Sequence, residues 1–337
     1  MSGSPVESGA SAAQGTAALD SAAGGVGELQ PCTGRDGSFS LWSERFQEGF
    51  HSGRGALREA IETFLNPSQL ERFPPGASIT VLEVCAGTGT NLAVLLEACR
   101  SRGLQLDWTG LELDPLPLRL ALSQPAFRAA WQPRTLSSLE QLRQRSCWHG
   151  EAGDRGRILW GDARRSLARL PRGGPGQLDL LWHDAFSPQR CPELWSMEFL
   201  GDLTRRLRPE GRWISYCSAA AVREALRLAG LQPKALVAPT DPATRQPAWS
   251  GGTLASPAPL PPSHLWRALS PMECDHLASN AGVPYRDPGS RSSAAEIRSR
   301  RQQAQSQSLA SGRRRSSGAW RRQWGLEGPS GPRAEAR

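Results

Sequence analysis

Several features that commonly decide the class of a protein are missing from this 337-residue sequence. It has no run of 18 or more apolar residues, which argues against a membrane-spanning helix. No lysine or arginine precedes an apolar block in the first 30 residues, so we expect no secretory signal and predict a cytoplasmic protein. The seven cysteines include no CxxC pair, which disfavours a disulfide framework and a zinc site. We therefore expect neither a membrane partner nor a bound metal.

Lysine is nearly absent, and Lys234 is its single example, so arginine carries the positive charge. The formal net charge is +8 at pH 7. This excess lies entirely in residues 286–337, which contain 12 arginines against 4 acidic residues, whereas the rest of the chain is balanced. A basic segment attracts polyanions, whatever the origin of its arginine usage.

Composition divides the chain into four segments. Residues 1–37 are rich in Ser, Gly and Ala and predict a disordered N-terminal segment, because they hold too little apolar surface to offset ordering entropy. Residues 38–260 carry the strand and helix patterns of one domain. Residues 261–287 predict a short helical extension, since Ser270 and Glu273 have the spacing of a capping box. Residues 288–337 predict a basic, disordered tail.

Apolar runs alternate with helical patterns through the second segment. Five runs predict strands: SITVLEVCAG, LDWTGLELD, GRILWGD, LDLLWHDAF and RWISYCS. Two later runs, KALVA and GGTLAS, are candidates for further strands. Strands that alternate with helices predict an α/β fold with a doubly wound, mostly parallel sheet. Since runs such as LDLLW have no polar face, we expect helices on both sides of the sheet.

The first two strands end in residues that suit a ligand. Gly87 and Gly89 follow the first strand and allow a sharp turn with close backbone approach. A dinucleotide fingerprint would place Gly or Ala where Leu92 stands, so NAD and FAD are disfavoured. Glu112 ends the second strand at the spacing expected of a carboxylate that binds ribose hydroxyls. The alternatives are a plain turn and a solvated loop charge.

Two further strands end in aspartate. Asp162 could accept a hydrogen bond from an adenine amine or could cap the next helix. Asp184 precedes Phe186 and Pro188, an aromatic and a proline that could frame a flat substrate. His183 is either a packed strand-end residue or a neighbour of the substrate. Carboxyl ends of parallel strands share one edge of a sheet, and the whole set predicts an S-adenosylmethionine-dependent methyltransferase.

The sequence also resembles the tRNA 5-methylaminomethyl-2-thiouridine methyltransferase family, which acts on the wobble uridine. The resemblance covers about residues 39–255. Its motifs are FSLWSERFQEGFHSGRGALREA, EVCAGTGTN, LWGDA, HDAFSPQRCPELW and LTRRLRPEGRWISYCSAAAVREALRLAG. It implies a Rossmann-like class I fold with an antiparallel last strand and S-adenosyl-L-methionine as cofactor. It also implies methyl transfer to the amine of an aminomethyluridine in tRNA.

The resemblance assigns roles by motif. It implies that the cofactor is lined by Glu83, Gly87, Gly89, Glu112 and Asp162, and that Asp184 is the acid at the reacting centre. Phe50, Ser52 and Glu59 would help to build the substrate pocket beside Phe186 and Pro188. The flavin oxidase domain of the bifunctional relatives has no counterpart in this sequence, so a separate enzyme would have to supply the aminomethyluridine.

Other functions stay open on the sequence alone. One is a methyltransferase or aminopropyltransferase acting on a small amine, although the segment 187–190 offers no further acid to grip a polyamine. Another is a non-catalytic RNA-binding protein on a methyltransferase fold, against which the intact acids argue. RNA binding needs cations and aromatic surfaces. The tail offers both, or is a solvated segment without a role; its candidate contacts are Arg313, Arg314, Arg315, Trp320, Arg321, Arg322 and Trp324.

Overall fold

The computed structural model of the chain describes residues 27–150, 153–170, 176–238 and 250–326. A nine-stranded sheet forms its centre, and a three-stranded sheet lies before it in the chain. The strands are β1 (Leu29–Thr33), β2 (Phe39–Ser43), β3 (Glu48–Gly49), β4 (Ser78–Val84), β5 (Gln105–Glu112), β6 (Cys147–His149), β7 (Arg155–Trp160), β8 (Leu178–His183), β9 (Leu207–Ser215), β10 (Gln232–Leu236), β11 (Gly252–Ser256) and β12 (Trp266–Arg267).

Helices connect these strands and cover the sheet. The α-helices are α1 (Ala56–Glu59), α2 (Asn66–Ser68), α3 (Thr90–Ser101), α4 (Leu116–Ser123), α5 (Pro125–Ala129), α6 (Pro133–Arg145), α7 (Ala163–Arg169), α8 (Met197–Thr204), α9 (Ala220–Leu228), α10 (Pro271–Ala278), α11 (Ala294–Ala310) and α12 (Ser317–Gln323). A π-helical stretch, Ala60–Leu65, joins α1 to α2, and the 3₁₀ turns are Leu70–Arg72, Pro192–Trp195 and Asn280–Gly282.

The large sheet has the order β12-β10-β11-β9-β8-β4-β5-β7-β6. Its five central strands, β9, β8, β4, β5 and β7, pair in parallel, and both edges are antiparallel. The prediction of a doubly wound, mostly parallel sheet with late antiparallel strands is confirmed. Connections leave β4 toward β5 and return to β8 on its other side, so the order reverses between β4 and β8. Ligands of such sheets bind outside the carboxyl ends of the strands at this reversal.

Two apolar clusters lie on opposite faces of the sheet. Neighbouring residues along a strand go to different clusters: Val81 and Leu82 on β4 do so, as do Leu181 and Trp182 on β8. All four side chains are at most 1% exposed. Because side chains alternate across a strand, apolar residues at consecutive positions require cover on both faces. The helices supply that cover, as the apolar runs predicted.

The prediction that residues 1–37 are disordered is wrong for β1, while residues 1–26 lie outside the described part. β1 pairs antiparallel with β2, and Leu29 lies opposite Ser43. Four of the five β1 side chains are exposed, so the strand is held by its backbone hydrogen bonds to β2. The composition of residues 1–37 could not predict this strand, because the strand forms by pairing with β2 and not through apolar residues of its own.

The extension at residues 261–287 forms α10, and its predicted capping box is present: Ser270 accepts from the Glu273 amide, and the Glu273 side chain accepts from the Ser270 amide. A buried ion pair fastens α10 to the domain. Arg223 on α9 donates to Glu273 at 2.9 Å, and both side chains are 1% exposed. Breaking such a pair leaves an uncompensated buried charge, which makes the extension part of the fold.

The prediction of a disordered basic tail is wrong for residues 288–326, which contain α11 and α12; residues 327–337 lie outside the described part. Single apolar anchors hold these polar helices. Ile297 is fully buried, and Trp320 is 4% exposed and stacks on His276 with ring centroids 4.0 Å apart. Arg301 donates to two backbone oxygens and lies over the Tyr285 ring. Isolated anchors of this kind give no apolar periodicity, so the sequence pattern missed both helices.

Candidate active site

A cavity of about 620 Å³ opens at the carboxyl edge of the parallel strands, where the strand order reverses. Its volume lies within the roughly 300–1,000 Å³ of small-molecule sites. Three parts of the chain line it: the strand-end loops, residues 45–46 and 48–52 together with Glu59, and residues 292–294. Eight predicted site residues line it together: Gly87, Glu112, Asp162, Asp184, Phe50, Ser52, Glu59 and Phe186.

The loop after β4 turns by means of left-handed backbone conformations. Cys85 has φ 65°, Gly87 has φ 54° and Gly89 has φ 82°. A Cβ at Gly87 would lie 3.2 Å from Cδ1 of Phe50, and one at Gly89 would lie 3.0 Å from Cδ1 of Leu118. Gly87 therefore keeps room between the loop and the upstream segment, whereas Gly89 permits packing at the start of α3 and does not line the cavity.

Glu112 ends β5 with a side chain that is 4% exposed. Its Oε2 accepts from the Gly87 amide at 2.9 Å, and its Oε1 accepts from the amides of Leu113 and Asp114 at 2.6 and 3.2 Å. Burial raises the pKa of Glu112, and these amide donors oppose the rise. A carboxylate has about four acceptor positions, so one remains on Oε2. We expected two bonds from a ribose diol, and the structure leaves room for one.

Asp162 fills both roles that the sequence left open, because it caps α7 and lines the cavity. Its Oδ1 accepts from the Arg164 amide at 2.9 Å. The Arg164 guanidinium lies beside it, with Nη2 2.7 Å from Oδ2. Nε of Arg164 donates to both oxygens of Asp162, at 3.1 and 3.2 Å, and both of these bonds are long. A ligand that donates a hydrogen bond to Asp162 would therefore have to displace only a weak bond.

Glu83 does not line the cavity, and its side chain is fully buried beneath it. Trp108 Nε1 donates to Oε2 of Glu83 at 2.9 Å, while Oε1 has no hydrogen-bond partner among the described residues. Burial raises the pKa of Glu83 to about 8, so the group is largely a neutral acid at pH 7. Pro188 is likewise buried and does not line the cavity. The structure thus leaves both outside direct contact with a ligand in this cavity.

Asp184 follows β8 and faces the cavity with Glu59. Asn91 on α3 donates to Asp184 Oδ2 at 2.9 Å, and the Ser52 amide donates to Glu59 Oε2 at 3.1 Å. Burial raises the pKa of Asp184 well above its ordinary range, and the charge of Glu59 raises it further. Burial also raises the pKa of Glu59. A negative charge on either of these two carboxyl groups therefore disfavours ionisation of the other.

Aromatic rings form the wall next to these acids. Phe186 stacks on Phe46 with ring centroids 4.4 Å apart, and Phe50 meets Phe186 edge to face at 5.1 Å. Tyr216 Oη donates to the Ala185 carbonyl at 2.8 Å, and Trp195 Nε1 donates to the Phe186 carbonyl at 2.7 Å. These bonds fix the loop that carries Asp184 and Phe186, so the wall is rigid and apolar.

His183 is a packed residue, the first of the two roles considered for it. Its ring stacks on Trp195 at 4.2 Å, is fully buried, and has no hydrogen-bond partner among the described residues. Burial lowers its pKa to about 3, so it stays neutral near pH 7. It does not line the cavity.

Sequence reasoning missed several lining residues: Asn91, Tyr216, Arg164, Ser292, Ser293 and Ala294. Asn91 is the second residue of α3, and the direction of its side chain depends on the orientation of the helix axis. Residues 292–294 carry one available signal, the Ser293 to Glu296 spacing of a capping box, which is formed in the structure. That spacing marks a helix start but says nothing of the cavity.

The described residues hold no group of three or more His, Cys, Asp or Glu side chains placed for a metal ion. Within the same residues, no helix has the length and apolarity to cross a membrane. The lining offers acceptors instead: carboxylates at three neighbouring strand ends, beside a glycine turn. Acceptors suit a ligand with hydroxyl and amine donors and a positive charge, as S-adenosylmethionine has.

Comparison with known proteins agrees with this chemistry. Residues 127–236 match a family model described as S-adenosyl-L-methionine-dependent methyltransferase. A tRNA 5-methylaminomethyl-2-thiouridine biosynthesis bifunctional protein, MnmC from Ralstonia nicotianae, is 31% identical over 206 residues, which are 57% of this chain and 30% of that protein. The crystal structure of MNMC2 from Aquifex aeolicus aligns with TM-score 0.64 and 28% identity, covering 80% of this chain and 83% of that one.

The chain is an S-adenosyl-L-methionine-dependent methyltransferase related to MnmC. An uncharacterised protein of Methanocaldococcus jannaschii is also similar, with 29% identity over 191 residues, 57% of this chain and 51% of that protein. The chain thus spans between 30% and 51% of the length of these curated relatives. The predicted fold class and cofactor are confirmed, as is the assignment to the S-adenosyl-L-methionine-dependent methyltransferases.

The buried Glu83 of this methyltransferase predicts a pH effect on stability. A carboxyl whose pKa is raised on folding stabilises the protein fully below its unfolded value of 4.5, and this contribution is lost as pH rises through about 8. We expect the unfolding free energy of the wild type, relative to Glu83→Gln, to fall by about 1.4 kcal/mol per pH unit between pH 5 and 8. Urea unfolding of both proteins at four pH values measures it.

Exposed Glu210, changed to Gln, controls for the general loss of one carboxylate. Parallel stability curves for the wild type and Glu83→Gln across this pH range would contradict the assignment of a neutral buried acid.

Proposed function

We propose that this methyltransferase transfers a methyl group from S-adenosyl-L-methionine to the aminomethyl nitrogen of 5-aminomethyl-2-thiouridine at the wobble position of tRNA. The observation that carries the proposal is the pairing of Asp184 and Glu59 beside the wall of Phe46, Phe50 and Phe186. The acids suit an amine, and the aromatic wall suits a flat base. The relatives are named for 2-thiouridine biosynthesis in tRNA, which supports this substrate.

S-adenosyl-L-methionine, when bound, would supply an electrophilic methyl group, and the residues of this chain would have to present a nucleophilic nitrogen to it. An alkyl amine resembles lysine, with a pKa of roughly 10.4, so about one molecule in a thousand is neutral in water at pH 7. The protein therefore has to remove a proton from the nitrogen before it can react. A carboxylate within reach of the amine is the group that does so.

We assign this task to Asp184. Asn91 Nδ2 occupies Oδ2 and orients the carboxyl group, which leaves Oδ1 for the amine. Because burial and Glu59 raise the pKa of Asp184, it accepts a proton more readily than an ordinary aspartate does. Glu59 places a second carboxyl group beside the amine, and the aromatic wall limits the contact of the amine with water. Ser52 holds Glu59 in place through its amide.

We further propose cofactor contacts for three residues. Glu112 would receive a ribose hydroxyl on Oε2, and Asp162 would receive the adenine amine. Gly87 would let the cofactor approach the backbone. Gly89, Glu83 and Pro188 do not line the cavity, and in this proposal they act indirectly. Gly89 shapes the loop after β4, Glu83 supports that loop from beneath, and Pro188 shapes the loop after Phe186.

A small polyamine is a second candidate substrate. The absence of an acid in residues 187–190 disfavoured it, yet the cavity also receives Glu48 and Glu193 from elsewhere in the chain. An acidic cavity suits a polycation. Methylation of a polyamine, with none of an aminomethyluridine tRNA, would favour this candidate. A non-catalytic RNA-binding role is less consistent with acids kept buried and unpaired in a cavity.

Replacing Asp184 by Asn tests the proposed proton acceptor. We expect turnover to fall by about 10²–10⁴-fold, because the amide cannot take the proton, while the dissociation constant for S-adenosylmethionine changes little. Single-turnover methylation of an aminomethyluridine tRNA and calorimetric cofactor binding measure the two. Asp107→Asn at the amino end of β5, far from the cavity, is the matched control. Wild-type turnover in Asp184→Asn would remove Asp184 from the mechanism.

Several tail residues that the sequence suggested as tRNA contacts instead contact other parts of this chain. Trp320 is buried on His276, Trp324 donates to Asp275, and Arg314 pairs with Glu224, so these side chains hold the fold together. We propose instead that exposed arginines near Asp184 contact phosphates. Arg190 lies in the loop after Phe186, and Arg298 donates to the Gln189 carbonyl in the same loop.

The double variant Arg190→Gln/Arg298→Gln tests this surface. We expect weaker tRNA binding, with the slope of log affinity against log salt reduced by about 1 to 1.5, because two phosphate contacts release about 0.7 cations each. The control is Arg102→Gln/Arg169→Gln, which removes two exposed charges at the C-terminal ends of α3 and α7, toward the amino edge of the parallel strands and so away from the cavity. Equal slopes in both variants would contradict the proposed surface.

A further inference from the structure

Arg164 joins the cofactor cavity to the C-terminal part of the chain. One edge of its guanidinium, Nε and Nη2, lies against the Asp162 carboxylate. The remaining nitrogen, Nη1, donates to Asp287 Oδ2 at 2.8 Å and to the Ser292 carbonyl at 2.9 Å. The Arg164 side chain is 12% exposed, and that of Asp287 is fully buried. Every nitrogen of the guanidinium therefore has an acceptor.

Asp287 in turn organises the chain around it. Its Oδ1 accepts from the amides of Arg291 and Ser292 at 3.3 and 3.0 Å. Its own amide donates to Glu198 on α8 at 2.8 Å. The turn at residues 287–292 is thus closed on a single buried carboxylate, and Arg164 is the cation that balances it.

This turn delivers residues to the cavity. Ser292 at its end and Ser293 and Ala294 directly after it line the cavity, and α11 begins at Ala294 with Ser293 as its cap. We call residues 286–294 the C-terminal arm. The arm reaches the wall of the cavity through the same contact that fixes the position of the guanidinium beside Asp162.

We propose that Arg164 and Asp287 are a positioning pair that makes the C-terminal arm part of the cofactor site. Asp287 holds Arg164, Arg164 holds the Asp162 carboxylate as an acceptor aimed at the adenine amine, and the arm completes the wall around it. The inference rests on the role proposed for Asp162. It implies that cofactor binding and docking of the arm stabilise each other, since coupling between two binding events is reciprocal.

The pair differs from the ion pairs that only hold the chain together. Arg223 and Glu273 fasten α10 to α9, and neither residue lines the cavity. Arg315 and Trp324 contact Asp275 in the same way, away from the cavity. Loss of one of those contacts would lower stability without a preference for one ligand over another. Loss of the Asp287 contact should change which ligand is preferred.

The proposal is tested by comparing the affinities of the protein for two ligands that differ only in the purine base. S-adenosylhomocysteine and S-inosylhomocysteine differ at the position of the adenine amine, where the inosine ring carries a carbonyl that cannot donate. A site that hydrogen-bonds an amine discriminates strongly against an analogue that lacks it. We expect the wild type to prefer the adenosyl compound by roughly 10-fold or more. In Asp287→Asn this preference should shrink toward 1: loss of the docked arm weakens both compounds, and the adenosyl compound additionally loses its bond to Asp162, so its affinity falls further.

Asp275→Asn is the matched control, and its preference should equal that of the wild type. An equal loss of affinity for both compounds in Asp287→Asn, or no loss for either, would overturn the proposal. Both measurements use binding alone, so absence of tRNA methylation would count against the proposed substrate and leave this result standing. A wild type without any preference would overturn both the Asp162 role and the pair.

Hydrogen exchange on the wild-type chain gives a second test that needs no variant. S-adenosylhomocysteine should slow exchange of the amides in the C-terminal arm, residues 286–294, by several-fold, and should leave those of α12 unchanged. Unchanged exchange in the arm on addition of ligand would overturn the proposed coupling even if Asp287→Asn proved too unstable to purify.

Discussion

Three carboxyl groups surround one cavity, Glu59 and Glu112 buried and Asp184 half-buried, and among the described residues none of them forms an ion pair. Moving a carboxylate out of water without a cation is costly, and burial accordingly raises the pKa of all three. The unfavourable free energy of desolvating these carboxyl groups is thus concentrated at the carboxyl edge of the sheet. A sulfonium or an ammonium entering the cavity would supply the missing positive charge, so ligand binding would offset what folding left uncompensated.

The surrounding structure serves to keep those carboxyl groups in place without neutralising them. Backbone amides at strand ends hold Glu112, a side-chain amide holds Asp184, and the Ser52 amide holds Glu59. Neutral donors stabilise a charged carboxyl group by less than a guanidinium would, and they leave it available to a cationic ligand. Asp162 is treated differently: it receives Arg164, which suits an acceptor for a neutral adenine amine. The absence of a cation at Asp184 and Glu59 therefore matches the charged ligand that they would meet, whereas Glu112, held by backbone amides, would meet a neutral ribose hydroxyl.

Much of this architecture could be predicted because it is encoded locally. Strand and helix patterns indicate the parallel sheet, and the rule that ligands bind at its carboxyl edge is enough to bring Glu112, Asp162 and Asp184 together from the sequence alone. β1, α11 and α12 could not be predicted, because their stability comes from contacts distant in the chain, such as β2 for the first and His276 for Trp320. For the same reason the sequence suggested that the arginines and tryptophans of the tail contact tRNA, whereas several of them contact other residues of this chain. The contact of Asn91 with Asp184 spans 93 positions and leaves no sequence pattern.

The most direct measurement of the central claim is a carboxyl ¹³C NMR titration of the free protein, with the Asp184 signal assigned by its loss in Asp184→Asn. We predict that Asp184 titrates well above the ordinary aspartate range and that Glu59→Gln moves this titration to lower pH, since one negative charge has left the cavity. Titration of Asp184 near 3.8, or a midpoint that Glu59→Gln leaves unmoved, would contradict the claim.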